Sequence, residues 1–147
     1  MRSGRRSTSE RKAFALWCEQ GTPEGSITTE SDVLHEVPFK GGTAGGTNLI
    51  DPTELIAAAH AACFSATLAA ELSTAGFRAQ TIRTTAVITS VQSAQERAVS
   101  AIALDVVAAI PGAEPGDLIV AAFTTKQICP ICRLLHVNVT MNVRLER

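Results

Sequence analysis

The sequence predicts an α+β fold, with strands and helices segregated along the chain rather than strictly alternating. Three observations carry this. A long, almost wholly apolar helix opens at Asp51-Pro52-Thr53-Glu54 and stops near Gly76. Residues 98–110 and 136–146 follow the two-residue period of strands. The 147 residues contain no internal repeat or linker, and that length suits one domain around one core.

Taken in order, residues 11–37 read as strands, with Ser26-Ile27-Thr28-Thr29-Glu30 β-prone and Glu24-Gly25 before it a turn. The Gly-rich stretch 40–48 lacks the Gly-Lys-Ser/Thr of a phosphate loop and reads as a flexible loop. Asp51 is placed to accept from the first free amides of the long helix. Pro52 suits the first helical position, and Glu54 sits where a capping acid sits. The helix runs to about Ala75. It is apolar or small nearly all round, so it needs cover on most sides, and a second copy of the chain is inferred to supply it. Residues 79–91 form the next strand. In 98–110, Ile102, Leu104, Val106, Ala108 and Ile110 share a face, and Pro111-Gly112 ends the run. A helix follows over Glu114–Gln127, and Cys129-Pro130 opens a short one ending near Leu135. In the last strand Val137, Val139, Met141, Val143 and Leu145 point inward, while Asn138, Thr140, Asn142 and Arg144 face water.

Composition narrows the function. Hydrophobic residues make up 46% and charged residues 18%, as in a globular chain. Aromatics are only 4%, so Ala, Val, Ile and Leu must build the core. A net charge of -1 offers no field to attract nucleic acid or an anionic membrane. The cations Arg2, Arg5, Arg6, Arg11 and Lys12 lie in a Ser-rich opening with no apolar segment behind it. Residues 1–10 therefore read as a flexible terminus, and 11–147 as a single domain. Glu54, His60 and Glu71 interrupt the long helix, which argues against a membrane span. The expected location is cytoplasmic, where Cys18, Cys63, Cys129 and Cys132 are reduced at rest.

The cysteines carry the chemistry. Cys129 precedes Pro130 at a helix start, where free amides favour a thiolate. Cys132 completes a Cys-x-x-Cys motif. Cys63 lies in the apolar helix, where burial alone makes a thiol inert. Two readings stay open on spacing. One is a thiolate that attacks a peroxide, becomes a sulfenic acid and is resolved by a second cysteine. The other is a metal site of Cys63, Cys129, Cys132 and His136, with His60-x-x-Cys63 offering a further pair one helical turn apart. His60 itself reads as a hydrogen-bonded core histidine, His35 and His136 as surface residues, and Cys18 as packing. Phe39, Phe64 and Phe123 are candidates to line a hydroperoxide pocket.

At these residues the chain resembles the OsmC/Ohr family of thiol peroxidases, in its OsmC branch. The match is strongest over ELIAAAHAACFSATLAAELSTAGF, residues 54–77, with His60 to Phe64 as its core. Trp17, Thr29-Glu30-Ser31, Val33-Leu34, Thr84-Thr85-Ala86, Ile110-Pro111-Gly112 and Cys129-Pro130 extend it over about 11–147. The resemblance implies an OsmC-like fold, with antiparallel sheets packed around a long central helix in an intertwined homodimer. It implies that Cys63 is peroxidatic and Cys129 resolving, and that organic hydroperoxides and hydrogen peroxide are substrates. An external dithiol, such as a protein-bound lipoyl group, then recycles the disulfide, with no metal or organic cofactor.

Three positions depart from the family pattern. The loop before the long helix lacks the family Arg, leaving Lys40 as its cation and Thr43 near the expected place. Thr53 stands where the partner Glu is expected, with Glu54 adjacent. Cys132 replaces a common Ser. Lys40 and Glu54 are therefore the candidate stand-ins, and Cys132 and His60 candidate auxiliaries. The rivals are a family member without peroxidase activity that binds a small hydrophobic ligand, and the metal protein.

Overall fold

The structure is a computed structural model that describes residues 7–20, 24–39 and 48–147. The Lys40 and Thr43 positions, the Gly-rich stretch up to residue 47 and the first six residues lie outside the described residues. Residues 7–10 are exposed and carry no regular structure. The chain, read from sequence as one domain, divides into two compact units, Met1–Pro52 and Thr53–Arg147.

The first unit holds an antiparallel sheet of β1 (Ala13–Cys18), β2 (Glu24–Thr29) and β3 (Val37–Phe39) in that order. Gly25 belongs to β2 and not to the turn expected from sequence. It pairs with Trp17 on one side and Phe39 on the other. A Cβ here would run into the Phe39 ring and come within 2.9 Å of Trp17, so only glycine admits both rings. Those rings pack with centroids 5.8 Å apart. Cys18 is exposed at the end of β1, rather than packed as the sequence suggested. In the β2–β3 connection, Asp32 and Glu36 adopt positive φ of 60° and 47°. The Asp32 carboxylate lies 2.6 Å from Nδ1 of His35.

The second unit begins with α1 (Pro52–Thr74), ended by Gly76 at φ 89°. A sheet of β4 (Thr81–Gln92), β5 (Arg97–Ala109) and β6 (Asn138–Glu146) follows in that order. Between β5 and β6 lie α2 (Pro115–Ile128) and α3 (Pro130–Leu134). The β4–β5 pair is antiparallel, but β6 runs parallel to β5, which corrects the expectation of antiparallel sheets throughout. Two helices separate these strands, and a long crossover is what a parallel neighbour requires.

The alternation read from sequence holds in both strands. Ile102, Leu104, Val106 and Ala108 of β5 are buried, and Val139, Met141, Val143 and Leu145 of β6 face the same core. On α1 the residues His60, Phe64, Leu68 and Leu72 recur every four positions and are fully buried. That stripe packs into the core cluster with Leu118, Ala121 and Ala122 of α2. Ser65 ties α1 to β4 by donating to Thr84 Oγ1 at 2.8 Å. In the single chain the rest of α1 is open: Ala58, Ala59, Ala62, Ala66, Ala69 and Ala70 are exposed, the face whose cover the sequence reading assigned to a second copy. By length and hydropathy α1 is apolar enough to cross a membrane, despite the polar residues noted in its sequence. Its buried stripe nevertheless packs against protein.

Two measurements test this packing. Leu68→Ala removes a fully buried side chain from the α1 stripe. It should cost about 2–5 kcal/mol in denaturant unfolding, whereas Val33→Ala, at an exposed site, should stay within roughly 0.5 kcal/mol. His35, raised above 6.5 by its hydrogen bond to Asp32, should titrate by NMR above that value, and Asp32→Asn should bring it down. The sign follows from the raised pKa: this pair favours the fold below about pH 6.5 and stops doing so as pH rises through the folded midpoint.

Candidate active site

The site forms where α1 meets the break between α2 and α3. Pro130 makes that break. A residue before proline is pushed out of the helical region, and Cys129 has φ -58° and ψ 122°. Cys129 thereby ends one helix and starts the next. Its N–H donates to Thr125 O at 2.8 Å, and its carbonyl accepts from Arg133 N–H at 3.0 Å. The backbone is held from both sides, so the side chain has a fixed origin.

From that origin Cys129 is buried in the core, and its Sγ lies 3.5 Å from Sγ of Cys63. Cys63 occupies the middle of α1, half-buried, next to fully buried Phe64. The two cysteines picked out 66 residues apart in sequence are therefore in van der Waals contact. Burial pushes the Cys63 thiol above its ordinary range, and Cys129 beside it adds to the rise. The N–H of Ile131, directed at Cys63, and the hydroxyl of Thr67 act in the opposite direction. Thr67 also donates to the Cys63 carbonyl at 2.8 Å, which keeps that turn of α1 closed.

Cys132 lies one turn along α3. Its thiol is pushed up to about 12, by burial first and then by Cys129, against a small pull from Lys126. Its Sγ is 2.9 Å from Nε2 of His60. His60 is completely buried, one turn before Cys63 on α1, and burial lowers its pKa so that the imidazole is neutral. Its Nδ1 has no hydrogen-bond partner among the described residues. Sequence reasoning foresaw a hydrogen-bonded core histidine here but not that its partner is Cys132. A one-turn His-x-x-Cys spacing and a Cys-x-x-Cys spacing were the available signals.

The other candidates fall elsewhere. Glu54 is exposed in the first turn of α1 and has an interaction of its own. His136 is exposed and does not join the cluster; His60 takes the place it was given in the metal reading. His60, Cys129 and Cys132 bring their ligand atoms within 4.8 Å of one another. Arg133 is exposed on α3. Phe64 is buried in the core, Phe123 is exposed on α2, and Phe39 packs on Trp17 in the other unit.

A family model described as OsmC-like protein matches residues 44–144. Peroxiredoxin OsmC of Escherichia coli is 35% identical over 124 residues, covering 84% of this chain and 87% of that one. The protein of the same name from Shigella flexneri matches to the same extent. Among solved structures, an OsmC-like protein of unknown function from Vibrio cholerae superposes with a TM-score of 0.77 at 12% identity, covering 93% of this chain and all of that one. An organic hydroperoxide resistance protein from Elizabethkingia anophelis gives 0.73 at 18% identity, covering 97% and 99%. At these identities the structural likeness concerns the fold alone.

Proposed function

The chain belongs to the OsmC-like family, and from that membership we propose that it is a thiol-dependent peroxidase using Cys63 and Cys129. The observation that carries the reading is the 3.5 Å separation of the two sulfurs. A disulfide needs them to close to about 2.05 Å, a movement of roughly 1.5 Å that two side chains can make without unfolding a helix. The relatives named peroxiredoxin support a peroxide as substrate.

The chemistry proceeds in three steps. The Cys63 thiolate attacks one oxygen of the peroxide bond, and the O–O bond breaks. The other oxygen leaves with its organic group, takes up a proton and becomes an alcohol, while Cys63 becomes a sulfenic acid. Cys129 then attacks the sulfenic sulfur and expels water, forming the Cys63–Cys129 disulfide. An external dithiol, for which a protein-bound lipoyl group is the candidate, reduces that disulfide by exchange. Two sulfurs and a reductant suffice, with no cofactor. The apolar residues packed around Cys63 favour an organic hydroperoxide over a more polar one.

The main energetic obstacle is charge. An ionised sulfur in apolar surroundings is costly unless donors face it. The Ile131 N–H supplies part of that stabilisation, and the Thr67 hydroxyl adds to it when its one proton turns from the Cys63 carbonyl to the sulfur. We assign the remainder to Lys40, with Glu54 as its acidic counterpart, in the roles of the family Arg and Glu. A lysine is a point charge without the planar fork of an arginine, so turnover below that of an arginine-bearing relative is expected. The exposed small-residue face of α1 is where a second copy of the chain would pack, making a homodimer. The cytoplasm, which keeps such thiols reduced, is its proposed compartment.

One equivalent of cumene hydroperoxide should remove two of the four free thiols, and mass mapping should place the disulfide between Cys63 and Cys129. Cys63→Ser should abolish the loss, and Cys129→Ser should leave a sulfenic acid that dimedone captures. Unchanged thiol counts in the wild-type chain, despite a folded protein, would sink the peroxidase reading and favour the ligand-binding rival. In sedimentation the wild type should run as a dimer, and Ala66→Glu on the exposed face of α1 should run as a monomer.

A further inference from the structure

We propose that the reduced protein binds one zinc ion, held by His60, Cys63, Cys129 and Cys132. The four side chains come from two segments with ligand spacing: His60-x-x-Cys63 along one face of α1, and Cys129-x-x-Cys132 across the break at Pro130. The Sγ atoms of Cys63 and Cys129 are 3.5 Å apart, and Nε2 of His60 is 2.9 Å from Sγ of Cys132. His60, Cys129 and Cys132 have their ligand atoms within 4.8 Å of one another; Cys63 stands outside that set and reaches it through its contact with Cys129.

The distances within the three-residue cluster are close to what a tetrahedral ion demands, and the Cys63 side chain must turn its sulfur toward them to complete four ligands. Zn–S bonds of about 2.3 Å and Zn–N bonds of about 2.0–2.1 Å set neighbouring ligand atoms roughly 3.5–3.8 Å apart. The sulfur pair already fits. The histidine–cysteine pair must open, and the widest pair of the three-residue cluster must close, each by about 1 Å or less. Three thiols and one imidazole are the donor set of a Cys₃His zinc site, and they discriminate against magnesium and calcium, which prefer oxygen. Ligation through Nε2 places the imidazole proton on Nδ1. That atom lacks an acceptor among the described residues, whereas a permanent zinc site usually gives it one.

On binding, each thiol gives its proton to solvent as its S–Zn bond forms. The bound ion and the disulfide then exclude each other, a consequence that rests on the peroxidase reading, while zinc binding itself does not. When peroxide oxidises the loaded site, Cys63 and Cys129 lose two electrons to the O–O bond. The peroxide takes two protons to become an alcohol and water, and zinc is released.

The test uses the full reduced chain and no peroxide, so its failure is separate from a failure of the peroxidase reading. Cobalt(II) should bind at one equivalent with the visible bands of a tetrahedral site and near-ultraviolet thiolate-to-cobalt charge transfer, and zinc should displace it. Zinc should protect half-buried Cys63 and Cys132 from iodoacetamide while exposed Cys18 reacts as before. Cys132→Ser should weaken zinc binding by more than roughly 100-fold, since even loss of an outer-shell partner costs 10–100-fold. His136→Ala should leave it unchanged. An octahedral cobalt spectrum without charge transfer overturns the proposal, as does equal alkylation of Cys63 and Cys132 with and without zinc. The wild-type spectrum decides the matter even if a variant fails to fold.

Discussion

Much of the second unit is arranged around one constraint: two sulfurs from distant parts of the chain must lie in contact inside an apolar core. Cys63 is delivered by the buried stripe of α1, whose four-residue period sets His60 and Phe64 on either side of it. Cys129 is delivered by a helix that Pro130 interrupts at the right place. Each delivery uses a rigid element, because a thiol carried on a loose loop would not hold a fixed approach to its partner. The core cluster around Phe64, Leu68, Leu104 and Leu118 therefore serves the chemistry as well as the stability of the fold.

The same burial that brings the sulfurs together opposes their ionisation. The thiols of Cys63 and Cys132 are both raised, with burial as the first cause. The counterweights are small and local: the N–H of Ile131, the hydroxyl of Thr67 and, for Cys132, the charge of Lys126. Burial thus holds the Cys63 and Cys132 thiols and the His60 imidazole toward their uncharged forms. A cation or a further donor near Cys63 and Cys132 would favour their ionised forms.

The helices and core strands were legible because each rests on a local signal. Asp51-Pro52 starts α1 and Gly76 ends it, Pro130 breaks α2 from α3, and period-two alternation marks β5 and β6. The direction of β6 was not legible, since alternation is the same in parallel and antiparallel strands. Nor was the place of Gly25, where local turn propensity loses to the space required by Trp17 and Phe39 across the sheet. At the site, spacing pointed to the cysteines but could not rank His60 against His136. Both have a cysteine nearby in sequence, and only tertiary packing buries one and exposes the other. The exposed Cys18 was misjudged for the same reason: an apolar neighbour such as Trp17 does not guarantee cover on a small sheet.

The position of Cys132 ties these points together. Replacing it with a hydroxyl would leave the Cys63–Cys129 contact intact, because that contact depends on α1 and the Pro130 break alone. A sulfur at 132 adds something different. It sits against buried His60 and, with Cys129, makes a convergent set of three donors beside the Cys63–Cys129 sulfur pair. Two electrons can leave that pair as a disulfide, or two positive charges can enter the set as a metal ion, and either event relieves the cost of ionising sulfur in an apolar core. Which one occurs depends on whether peroxide or a thiophilic cation arrives first. On the two proposals made above, a single sulfur on a five-residue helix would add a second occupant to a redox site.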